Sequence, residues 1–146
     1  MQVKAEKRPI GITALSIFFL FGAAMSFLSS VSLLFPGSLL EPVWQLNPRA
    51  REGFAGIGVW AVVLMFTVCV ACVSASVGLW RGARWGYCVA VTLLCVNLLG
   101  DIINVLLGIE PRAALGIPIV LAILAYMMSR RARVFFARSA AVAGKN

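Results

Sequence analysis

FAGIGVWAVVLMFTVCVACVSASVGLW, residues 54–80, runs for 27 positions without a charged side chain. A helix built from it is apolar on every face, so no stripe is left for water. A run of about 20 apolar residues matches the ~30 Å hydrocarbon core of a bilayer. Three more stretches have the same character: 10–35 and 113–129 carry no charge, and 87–108 carries only Asp101. The sequence therefore predicts an all-α membrane protein, a four-transmembrane-helix bundle with spans at 10–35, 54–80, 87–108 and 113–129 and a basic tail at 130–146.

Composition agrees with that reading. Of 146 residues, 62% are hydrophobic and only 12% charged, against about 25% charged in ordinary soluble domains. The short flanks leave room for one membrane domain. The net charge of +8 does not point to nucleic acid. The basic residues flank the spans and lack aromatic interleaving; topology and anionic headgroups explain them. The basic start (Lys4, Lys7, Arg8) resembles a signal peptide, but the apolar run continues to Phe35. That exceeds a signal core of about 7–15 residues, so an uncleaved span is expected.

Lys and Arg alternate from gap to gap. The start, the 81–86 gap and the tail together hold ten, and the 36–53 and 109–112 gaps hold three. Retained positive charge marks the cytoplasmic side. Both termini are therefore expected in the cytoplasm, in a single orientation. Arg81, Arg84, Arg130, Arg131 and Arg133 are the expected contacts to anionic lipid.

Small residues recur at four-residue spacing: Gly22, Ser26 and Ser30 in the first span, and Ser74, Gly78 and Gly82 at the end of the second. Such stripes let helix backbones approach closely in lipid, within the chain or toward a homo-oligomer or membrane-protein partner. In the first outer gap, Leu39, Leu40, Val43, Trp44 and Leu46 are too apolar for a free loop. A short interfacial segment over 38–46 is expected. Asn47-Pro48 then reads as an N-cap and first helical residue, which starts the second helix near Pro48. Pro118 is expected to kink the fourth span.

Arg8-Pro9-Ile10-Gly11-Ile12-Thr13, with Gly78-Leu79-Trp80-Arg81-Gly82-Ala83-Arg84-Trp85-Gly86 further on, resembles small uncharacterised bacterial four-span membrane proteins with an R-P-x-G start and a G-L-W-x-G-x-x-W-G turn. The resemblance implies a bacterial inner membrane and no particular activity.

The candidates for chemistry are few. Without histidine there is no imidazole base and no histidine metal site, and no catalytic set or cofactor motif is evident. Asp101 cannot simply end its span, because Tyr87–Gly100 gives only 14 residues, about 21 Å of helix. Asn97, Asp101, Asn104 and Gly108 follow at spacings of 4, 3 and 4, which places them on one helical face. An ionised carboxylate in a span costs several kcal/mol unless paired, so this face must meet other helices or water. Asp101 is then either glue between helices, with Asn97 and Asn104 as partners, or a proton or ligand site, with Arg49 and Arg112 able to reach in from the outer rim.

Cys69 and Cys72 form a C-x-x-C, and Cys95 shares the depth of Cys72. A thiol redox role is one reading; small apolar filler is the other. The leading functional expectation is a non-enzymatic accessory or assembly partner. The alternatives are a small-solute or proton pathway using the polar stripe, and a membrane thiol redox protein.

Overall fold

A computed structural model describes residues 8–46, 48–109 and 111–143. These residues are helical, with no strand among them: α1 (Ile10–Leu34), α2 (Pro48–Ile57), α3 (Val59–Trp80), α4 (Arg84–Leu106), α5 (Ala113–Met128) and α6 (Arg130–Ala143). A short 3-10 helix, Glu41–Leu46, precedes α2. Three helices, α1, α3 and α4, are long and apolar enough to cross a membrane. A fourth crossing exists if α5 and the start of α6 count as one broken span.

Helix ends follow local chemistry. Pro9 opens α1, its carbonyl accepting from the amides of Ile12 and Thr13. Pro36-Gly37 ends it, with Gly37 at φ 82°. The second apolar run, expected as one span over 54–80, is instead divided. Gly58 takes φ 58° and ψ −132°, a conformation L side chains rarely adopt, and separates α2 from α3. Helix α2 begins at Pro48, while the proposed cap Asn47 lies outside the described residues. At 22 residues, α3 alone still spans about 33 Å.

The helices pack antiparallel. On α3, Ser76 Oγ donates to the Ser16 carbonyl of α1 at 2.7 Å, and Ser30 Oγ on α1 reaches the Val62 carbonyl of α3 at 3.4 Å. A three-residue turn, 81–83, joins α3 to α4, with Gly82 at φ 66°. There the backbones of Gly78 and Gly86 touch so closely that a Cβ on either would collide with the other. Of the stripe Ser74, Gly78, Gly82, only Ser74 stands apart: it is half-buried, and its hydroxyl donates back to the Val70 carbonyl. Across α4 and α5, Tyr87 Oη donates to the Met127 carbonyl at 3.2 Å. The Tyr126 ring lies against Gly11, which brings α5 back to α1.

Pro118 stands inside α5 without ending it. The break comes at Ser129, where the chain bends by 52°. Beyond the break the chain continues as α6 to Ala143. Phe136 of α6 is 3% exposed and packs on the Tyr87 ring at 5.1 Å. Phe135 and Ser139 lie over Gly82.

The buried core is concentrated at this Gly82 end, where Ile12, Leu79 and Met127 are fully enclosed. At the other end, around α2, the helices separate. Trp44 there is 8% exposed, donates to Ser32 Oγ at 2.9 Å and stacks edge-on to Phe54. The segment expected on the outer surface is thus partly folded in, because the indole N–H finds a protein partner; Leu39 beside it is 99% exposed.

Candidate functional site

Between α2, the far end of α4 and the start of α5 lies a cleft of about 580 Å³. Its polar lining is Asp101, Asn104, Arg49 and Arg112; Phe54 and Ile57 supply apolar wall. Helical periodicity puts Asp101 and Asn104 on one face of α4, and the separate helix α2 carries Arg49 across from them. Arg49 Nη1 donates to the Ile109 carbonyl at 3.1 Å, which ties α2 to the α4–α5 connection.

Asp101 is half-buried. Its Oδ2 accepts a hydrogen bond from Asn97 Nδ2 at 3.2 Å. A Cβ on Gly116 would come within 2.6 Å of the same oxygen, so the carboxyl lies directly on the α5 backbone. The missing side chain at Gly116 makes room for it. That partner was not identified from the sequence; the only hint is the glycine two residues before Pro118.

Asn97 belongs to a second cavity. It is exposed, a little past the midpoint of α4, and lines a crevice of about 290 Å³ with Phe18, Gly22, Ser26, Cys72 and Val120. Inward of Asn97, toward the Gly82 end, α4 is closed off by Leu94, Ala90 and Gly86. The polar stripe therefore ends at Asn97.

The thiols are placed differently from one another. All four cysteines are free; Cys72 is buried, whereas Cys95 and Cys88 are exposed. The shared depth of Cys72 and Cys95 does not give them a shared environment. Among the described residues no group of His, Cys, Asp and Glu could hold a metal ion.

The basic residues Arg81, Arg84, Arg130, Arg131 and Arg133 are all exposed at the Gly82 end. Arg8 joins them, its guanidinium 4.5 Å from the centre of the Trp80 ring. Lys4, Lys7 and Lys145 lie outside the described residues.

Fold and cleft together define an all-helical protein with three or four helices suited to crossing a membrane and a charged cleft at one end. No family model, curated protein or solved structure matches the chain.

Proposed function

We propose that the chain is a four-span helical bundle of a bacterial inner membrane, with both termini cytoplasmic, acting as a non-enzymatic accessory or assembly partner of another membrane protein. The ten-to-three division of Lys and Arg supports the orientation. The exposed arginines at the Gly82 end would meet anionic headgroups there, each contributing about 1 kcal/mol.

One observation carries the functional reading. Asn97 is exposed near the middle of a span-length helix and shows an amide to the crevice beside Gly22 and Ser26. In hydrocarbon, an amide with unused hydrogen-bonding capacity favours a neighbouring helix, and small residues let that helix approach. The occupant proposed is a helix of a second membrane protein. Affinity purification from native membranes, followed by mass spectrometry, should recover a partner with the wild type and lose it with Asn97→Leu. Identical recovery from both would count against the proposal, and a homo-oligomer would appear as a second copy.

The solute or proton reading has the cleft in its favour. The closed apolar packing inward of Asn97 supports a dead-end binding site over a conduit.

A further inference from the structure

Asp101 and Arg49 line the cleft at the α2 end without bonding to each other. Asp101 accepts from Asn97, and Arg49 donates to the carbonyl of Ile109. Among the described residues no hydrogen bond or ion pair joins Asp101 to Arg49. A lone cation entering this space would meet the Arg49 guanidinium, and a lone anion would meet the carboxylate. A ligand with both charges matches both walls.

We propose that the cleft binds a small zwitterion, a primary ammonium and an anionic group on a short linker. The ammonium would bond to the Asp101 carboxylate and the Asn104 carbonyl oxygen; the anionic group would lie against Arg49. Each assignment follows from donor and acceptor inventory. A primary ammonium offers three donors and no acceptor, which suits Asp and the oxygen of Asn. Guanidinium forks match phosphate or carboxylate oxygens. Phe54 and Ile57 give the linker an apolar wall. The volume, about 580 Å³, falls within the usual range of ligand sites, about 300–1,000 Å³.

Two sources present this chemistry: the headgroup of phosphatidylethanolamine and a free zwitterion in the water outside. The proposal rests on the membrane placement given above, and not on any protein partner.

The test uses the full chain, purified in mild detergent and examined by native mass spectrometry with phosphatidylethanolamine, phosphatidylcholine and phosphatidylglycerol, and separately with free phosphoethanolamine. Retention should be strongest for phosphatidylethanolamine. Phosphatidylcholine lacks N–H donors for Asp101, and phosphatidylglycerol lacks the ammonium. Asp101→Asn and Arg49→Gln should each weaken retention by about tenfold, as expected for loss of one charge-assisted bond. Saturation by free phosphoethanolamine would support the same chemistry with a soluble source. Equal retention of all three lipids by the wild type, with no binding of phosphoethanolamine, overturns the proposal whether or not any variant folds. If the chain remains in the membrane fraction while lipid selectivity is absent, the cleft assignment fails alone.

Discussion

Asn97 Nδ2 donates to Asp101 Oδ2 at 3.2 Å, one turn along α4, and this bond links two cavities. Asn97 lines the crevice beside α1, and Asp101 lines the cleft beside α2. If the pair were mainly internal glue, removing it should unfold the protein. Asn97 is exposed to its crevice and Asp101 is only half-buried, however, so the fold depends on the pair weakly. Asn97→Leu should change thermal stability by only about 1 kcal/mol, in line with polar contacts between membrane helices, while abolishing partner recovery. Thermal unfolding in detergent, run beside the affinity purification, separates the two effects.

Gly78 and Gly86 make a sharper demand on stability. A Cβ at either position meets the backbone of the other helix, which has no flexible end to move. Gly78→Ala should destabilise by about 1–3 kcal/mol through overpacking. Gly100, with open space around its position, provides the contrast. Gly100→Ala should be neutral or gain about 0.5–1 kcal/mol of helix stability. Denaturant titration in detergent followed by circular dichroism checks both.

Helix α6 is held by Phe136 against Tyr87, and by Phe135 and Ser139 over Gly82. Phe136→Ala should remove about 3 kcal/mol of packing and release the helix. Trypsin cleavage after Arg130, Arg131 and Arg133, which are already exposed, should then accelerate while the long helices stay intact.

The four thiols are free, and Cys95 is exposed where Cys72 is buried. A variant lacking all four cysteines should keep the partner and the lipid selectivity. Cys72 should contribute the largest stability loss, about 1 kcal/mol, because it packs against Gly22. Loss of partner recovery and lipid selectivity without loss of fold would favour the redox reading.

Orientation is testable in the same cysteine-free background. Leu39→Cys, at a fully exposed position, should react with an impermeant maleimide applied outside. Ala137→Cys, exposed on α6, should react only after permeabilisation. Outside labelling at 137 would reverse the topology.

The helical character of this chain was legible because charge is so sparse that every gap shows. The polar stripe was legible in part: Asp101 and Asn104 share the cleft to which Arg49 and Arg112 come, but Asn97 lines a separate crevice, and Gly108, expected on the same helical face, lies past the end of α4 at Leu106 with φ 66°. The break at Gly58 was not. Gly53, Gly56 and Gly58 look alike in sequence, yet of the three only Gly58 takes positive φ. In α6, Ala132 and Phe136 recur at four-residue spacing and bury one face, a pattern that the surrounding arginines mask in sequence. Gly116 went unread because its role is to leave space for a side chain on another helix.

The most direct measurement places a photo-activatable phenylalanine analogue at Val96, exposed beside Asn97, and irradiates cells in which the protein is in its own membrane. The expected result is one discrete adduct with another membrane protein, lost when Asn97→Leu is added. Adducts with lipid alone, or a protein adduct unchanged by Asn97→Leu, would contradict association through this face of α4.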